Sequence, residues 1–371
     1  MDKCPPEICT KIFSEACLDS GYTGRSLSLV SKFIHNTSRS VKLQSICLRS
    51  LEQTVAFASL LKETPPHLRR VRYLFISSPE PHKSHPVQVP LAQPQPLAEG
   101  NGTQLVTTPS TPQQKKASSM IAMERHIRRR AAREKHKQGM IVATRSILAD
   151  VRESLEVLET AISYLTVSPT ADAACPISLP HLTELTMQDA GLMNWMNEPA
   201  FLVPCQRLRR IHIIGDIRMG SPFTCVGKLA PLLTHLRISG VQNPRWFGSS
   251  LERALGIGEG MEILAQNRPL YGRLPLSVQQ VLVKLANPPE DGGHPGMPWA
   301  SYDAVSGVLL YLNETEDRVI LLKAEEHLEC ICEEDDWLDR VAGGEGCWSL
   351  RDRVPTMGIL ARSDRPGGGG E

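Results

Sequence analysis

The hydrophobic pattern of this chain changes period near residue 40. Before it, Ile8, Ile12, Phe13, Ala16 and Cys17 recur at three- and four-residue steps, followed by Leu27, Val30, Phe33, Ile34 and Thr37 with Leu29 beside them. That spacing puts side chains on one face of a helix. Pro5-Pro6 suits the first turn of the first helix, where an absent N–H costs nothing, and Gly21 to Gly24 marks the turn between the two. Two short helices with wide apolar stripes cannot close a core alone, so they need the rest of the chain or a partner.

From residue 41 the grammar is that of short strands. Leucine-rich repeats are apolar at the first, fourth and sixth strand positions, with a period of roughly 20–29 residues. Leu43, Ile46 and Leu48 fit, as do Leu68, Val71 and Tyr73; Leu182, Leu185 and Met187; Leu208, Ile211 and Ile213; Leu233, Leu236 and Ile238; and Val278, Val281 and Val283. Leu43 to Leu68 and Leu208 to Leu233 are 25 residues apart, Leu182 to Leu208 is 26, and Leu233 to Val278 is 45. Between the first two strands, Ser50 and Gln53 can form a capping box ahead of an apolar face of Leu51, Val55, Ala58 and Leu61. Strand, capped helix, strand at this period predicts an α/β solenoid. Residues 145–167 fit both helix and strand; the reading adopted is a helix ending near 160 and a strand within 162–167. Arg318–Ala324 reads as another strand, with an acidic helix after it.

Composition interrupts this picture once. Residues 78–118 are rich in Pro, Gln, Ser, Thr and Gly, too poor in apolar surface to offset their ordering entropy. They predict a disordered excursion, followed by a helix-prone basic stretch over 120–138. The net charge of +1 conceals an asymmetry: Lys115 to Lys137 holds nine Lys/Arg against two Glu, whereas Glu314 to Arg340 holds eleven Asp/Glu against three Lys/Arg. The basic stretch contains no aromatic residue, so it lacks a stacking platform for single strands, and nucleic acid is not the favoured partner. No apolar run approaches the roughly 18 residues of a membrane span. The start lacks the apolar core of a signal peptide, which gives the expectation of a cytoplasmic or nuclear protein.

Candidate chemistry is thin. The Cys-x-Cys spacing of Cys330 and Cys332, with His327 and Cys347 near in sequence, departs from the paired knuckles of structural zinc sites, so no metal is expected. The glycines of GIGEG (256–260) miss the dinucleotide spacing, Gly227-Lys228 lacks the Ser or Thr of a phosphate loop, and consecutive carboxylates at 333–336 read as a solvated face. No cofactor and no enzymatic activity are expected.

The opening CPPEICTKIFSEAC, followed by SLSLVSKFIHNTS, resembles an F-box, with Cys4 where that family has Leu. GYTGRSLSLVSKFI, VKLQSICL, FASLLKETPPHLRRVRYLFIS, ISLPHLTELTM and DDWLDRVAGGEGCWSLRDR are similar to the F-box-like proteins expanded in mushroom-forming fungi. The resemblance implies a substrate-recognition subunit of an SCF-type ubiquitin ligase, binding the linker protein through the helices and an unidentified protein target through the repeats. Carried over by position, Pro5, Pro6, Ile8, Ile12, Phe13, Leu27, Leu29, Val30 and Phe33 would form the docking surface or its support. The expected fold is α/β: an F-box-like helical module at 1–40, an irregular leucine-rich-repeat region at 41–290 interrupted by a disordered insertion at 78–140, a C-terminal cap at 291–353 holding Trp299, Tyr302, Trp337 and Trp348, and a flexible tail at 354–371. Two alternatives stay open: a scaffold whose N-terminal helices only cap a solenoid, and a nuclear nucleic-acid-associated protein acting through the basic insertion.

Overall fold

The structure, a computed structural model, describes residues 4–77, 112–160, 177–188, 203–215, 222–241, 247–257, 272–286, 298–324 and 334–355. The Pro-rich stretch to residue 111, the strand expected within 162–167, His327, Cys330 and Cys332 lie outside them.

Eight short strands form one sheet in chain order: β1 Ser45–Leu48, β2 Tyr73–Ile76, β3 Val157–Thr160, β4 Glu184–Gln188, β5 Arg210–Ile214, β6 His235–Val241, β7 Gln280–Leu285 and β8 Val319–Leu322. Every neighbouring pair is parallel. Parallel neighbours need a crossover. Among the described residues helices supply it in five places: α4 Leu51–Glu63 between β1 and β2, α5 Pro112–Val151 before β3, α6 Pro222–Leu229 before β6, α7 Phe247–Leu255 before β7 and α8 Pro298–Thr315 before β8. Three more helices precede the sheet, α1 Pro6–Ala16, α2 Tyr22–Leu27 and α3 Lys32–Ser38, and α9 Glu334–Val341 follows it.

The period-two alternation of the strands divides the sheet into two faces. One carries Ile46, Leu74, Leu158, Leu185, Ile211, Leu236, Val281 and Val319, all buried against Phe57 and Leu61 of α4, Ile147 and Leu148 of α5, Phe223 of α6, Phe247 of α7 and Leu309 of α8. Each such side chain contributes about 1.5–3 kcal/mol when fully buried, so this layer is the main core. The opposite face carries a row that runs Cys47, Phe75, Glu159, Thr186, His212, Arg237, Leu282 and Ile320 from strand to strand. Helix α9 and the 3-10 turn Gly346–Trp348 cross it. Trp337 is buried against Phe75, Val157 and Val341, and Trp348 against Leu282, Ile320 and Leu322. The two tryptophans therefore lie over the sheet's second face, Trp337 over β2 and β3 and Trp348 against strands from β4 to β8.

The fold class is α/β, but its expected division into an F-box-like helical module followed by a leucine-rich-repeat solenoid is corrected. The chain instead builds a single all-parallel sheet alternating with helices. Three physical features account for the difference. The N-terminal helices are not a separate unit, because Ser45 Oγ donates to Asp19 O at 2.5 Å, Cys47 N–H donates to Ser20 O at 3.3 Å, and Gln44 bonds Ser14 through both ends of its amide. The crossover helices among the described residues are unequal, from the 8-residue α6 to the 40-residue α5. The second face is also covered, as parallel sheets generally are, rather than left open. Both sheet edges are sealed, β1 by the Ser20 carbonyl and β8 by Leu322 pairing with Arg353 in an antiparallel bridge.

Two local expectations change as well. Residues 112–140, assigned to a disordered insertion, belong to helix α5, as the propensity of 120–138 suggests. The ambiguous stretch resolves as helix to Val151 and strand from Val157, earlier than the favoured reading, because Ser154 turns the chain by donating to the carbonyls of Val71 and Val151. Among the described residues no helix is long and apolar enough to cross a membrane.

Candidate functional site

The three N-terminal helices have an inner and an outer side. Helix α1 starts at Pro6 with Pro5 as N-cap and stops at Cys17. Asp19 then accepts from the N–H groups of Gly21 and Thr23 at 2.9 and 2.8 Å, holding Gly21 at a φ of +96° where a side chain would be strained. Ser31 caps α3 by accepting from Ile34 N–H at 3.2 Å. These local bonds set the angles at which Cys9, Phe13, Ile34 and Val41 bury one another, with Cys4, Leu27 and Phe33 partly buried around them. Gly24 lies against the Lys42 backbone so closely that a Cβ there would overlap the carbonyl.

Of the nine residues carried over by resemblance, Phe13 is therefore interior and Leu27 and Phe33 are partly so. Pro5 and Pro6 are exposed. Ile8 and Ile12, one turn apart on α1, are 50% and 51% exposed, and Leu29 and Val30, in the turn before α3, are 80% and 67% exposed. Tyr22, absent from the nine, is 74% exposed. Large aliphatic side chains left in water on short, internally braced helices offer anchor groups to a partner. Cys17, behind them, is inert as a nucleophile, since burial pushes its thiol up to about 11.

A second concentration of functional groups lies on the covered face, and the sequence reading missed it. Glu184, with 4% side-chain exposure, accepts from Trp348 Nε1 at 2.7 Å and Arg340 Nε at 2.8 Å, with Arg210 Nη1 at 3.8 Å. Arg210 stacks over the Trp348 ring at 5.6 Å, and His212 and His235 meet the same ring edge-on. Ser239 Oγ lies 2.9 Å from His212 Nε2 and accepts from Arg237 Nε at 3.0 Å.

The Ser239–His212 distance is one a nucleophile and its base would have, but the electrostatics run the other way. Burial, then Arg237 and Lys284, hold His212 well below the ordinary imidazole range, which makes it a poor base. Its Nδ1 is buried and unpartnered, with no carboxylate to orient the ring. The arrangement works as a buried structural network tying β5 to β6. Cys347, in the Gly346–Trp348 turn, has its thiol pushed up chiefly by burial. Among the described residues no group of three or more His, Cys, Asp and Glu is placed to hold a metal ion.

The sequence signal for this network was the polar residue between apolar ones in each strand, such as Glu184 and Thr186, Arg210 and His212, or His235 and Arg237. Alternation of that kind reads as a solvated face. Its burial depends on residues more than a hundred positions away in the chain. Comparison of the chain with protein-family models, with curated proteins and with solved structures gave no match.

Proposed function

We propose that this chain is a substrate-recognition subunit of an SCF-type ubiquitin ligase in the cytoplasm or nucleus, docking the linker protein through its N-terminal helices and a protein target through another part of its surface. The observation that carries the reading is the exposure of Ile8 and Ile12 on α1 and of Leu29 and Val30 in the turn before α3, in a helical segment fixed to β1 through the Asp19 carbonyl. The resemblance of residues 4–38 to an F-box supplies the identity of the partner. The helices also seal the β1 edge, and the two roles use different sides: Phe13 and Ile34 face inward while Ile12 and Leu29 face solvent. Catalysis of ubiquitin transfer would belong to other subunits of such a complex.

The test is the double substitution Ile12→Ala and Leu29→Ala. Both side chains are exposed, so circular dichroism and thermal melting should stay at wild-type values. Each aliphatic anchor buried at an interface is worth about 1–3 kcal/mol, so capture of the purified linker protein should fall by at least tenfold. A variant that binds the linker as the wild type does, or a wild type that does not bind it, removes this reading.

A further inference from the structure

Helix α5 joins two unlike halves. Its C-terminal half is anchored: Met140, Ala143, Ile147, Leu148 and Val151 are buried in the main core, Arg69 Nη1 donates to Asp150 at 2.6 Å, and Leu51 lies against Gly139. Ahead of it, every side chain from Met123 to Lys135 is exposed. At 1.5 Å per residue these exposed positions extend about 20 Å along a helix that has no core to face.

The charges on this arm are segregated. Arg125, Arg129, Arg133 and Lys137 follow one another at four-residue steps, and His126 and Arg130 fill the same side, within about 140° of the helix circumference. Both acids of the stretch, Glu124 and Glu134, fall outside that arc, as do Met123, Ile127 and Ala131. Arg128 is there too, paired with Glu124 at 2.7 Å. No acid falls within the arc itself, and Glu134 flanks it, four residues from Arg130 and three from Lys137.

We infer that this side of α5 binds the phosphate backbone of double-stranded nucleic acid without reading its sequence. The row from Arg125 to Lys137 covers about 18 Å of helix, over which one duplex strand presents about five phosphates at ~3.4 Å each. Arginine dominates the row, and its planar fork matches phosphate oxygens bidentately. An acidic protein partner fits less well, since a protein interface needs an apolar centre and the arm's Met123 and Ile127 fall outside the cationic arc, Met123 at its edge. Single strands fit less well too, because α5 has no aromatic residue on which bases could stack. The lack of aromatics, which weighs against nucleic acid in the sequence, weighs only against that class.

The experiment uses the full chain and a short random-sequence DNA duplex, with affinity followed by fluorescence anisotropy as salt is varied. Releasing counterions from four phosphates gives a slope near −3.6, about a 100-fold loss of affinity between ~50 and ~200 mM salt. The variant R125Q/R129Q/R133Q/K137Q keeps helix propensity, and its circular dichroism should match the wild type while most of the affinity and nearly all of the salt slope disappear. The pair R128Q/K135Q, on the other side, should change little. Wild-type binding that is absent at ~50 mM salt, a fourfold variant that binds as the wild type does, equal losses from both variants, or tighter binding to polyglutamate or single strands than to duplex would each overturn the assignment.

Discussion

Glu184→Gln perturbs the covered face where three elements meet. The carboxylate on β4 accepts from Trp348 Nε1 and from Arg340 Nε, at 2.7 and 2.8 Å, and lies 3.8 Å from Arg210 on β5. A glutamine keeps the volume and one acceptor oxygen, but its amide nitrogen must then face one of the two donors. One bond is lost outright and the other loses its charge. Hydrogen bonds to charged groups are worth about 1.5–3 kcal/mol, and breaking a buried ion pair costs about 3–5 kcal/mol. Arg340 and Arg210 retain 29% and 32% exposure, so water recovers part of what they lose. The expected destabilisation is about 3 kcal/mol, at the low end of the buried-pair range.

Trp348→Phe isolates one arm of the same interaction. The ring stays against Leu282, Ile320 and Leu322 and only the Nε1–H is removed, for about 1.5 kcal/mol. Because both substitutions remove the same bond, the double variant should fall short of the sum by about 1 kcal/mol. Urea unfolding, analysed by linear extrapolation at constant slope, measures all three values. A Glu184→Gln stability within ~0.5 kcal/mol of wild type, or strict additivity in the cycle, would refute the view that Glu184 clamps the C-terminal segment to the sheet.

Two further outcomes follow from neighbouring geometry. His212 is held neutral in the fold mainly by burial and then by Arg237 and Lys284, so the unfolded chain binds more protons below pH ~6.5; stability present above that value should decline toward pH 5 by at most about 1.4 kcal/mol per pH unit, and His212→Gln should flatten the decline in pH-dependent melting. Gly24→Ala places a methyl against the Lys42 carbonyl, so it should lower stability by about 1–3 kcal/mol and weaken linker capture through a shifted α2, whereas Arg25→Ala, exposed on the same helix, should alter stability by less than ~0.5 kcal/mol.

Much of the sheet was legible because its strands are buried on the helix side at every second position. The triplets beginning at Leu43, Leu182, Leu208, Leu233 and Val278 each overlap a strand, and Arg318–Ala324 contains β8. The capping box was legible too: Ser50 Oγ accepts from Gln53 N–H, while the Gln53 amide oxygen returns to Arg49 N–H, one residue earlier than expected. The position of β3 was not, because Leu155, Leu158 and Ile162 satisfy helix and strand periods alike. Nor could local pattern show that Glu184, His212 and Arg237 are buried. That depends on Trp337 and Trp348 reaching back over the sheet, and long-range docking leaves no periodic mark in either partner. The inner and outer sides of α1 were read as one stripe, since a three- and four-residue spacing wide enough to include Ile8, Ile12 and Phe13 gives no sign of which edge faces the core.

The placement of the N-terminal helices ties recognition to the integrity of the sheet. Ser20 O and Asp19 O accept from Cys47 N–H and Ser45 Oγ on β1, so the loop that leads into α2 occupies the hydrogen-bonding edge another strand would otherwise seek. Across the same strand, Arg49 reaches Glu334 at the start of α9 in a two-pronged ion pair. Side-chain exposures of 58% and 23% make this pair a weak source of stability. Its geometry is informative nonetheless, because β1 meets the N-terminal helices on one side and the C-terminal segment on the other, and Leu18, just after α1, packs against the cluster that holds Trp337 and Val341. A partner held by Ile12 and Leu29 would thus rest on a strand whose position both ends of the described chain help to fix, and a loosened C-terminal segment should be felt at the docking helices through β1 and through Leu18.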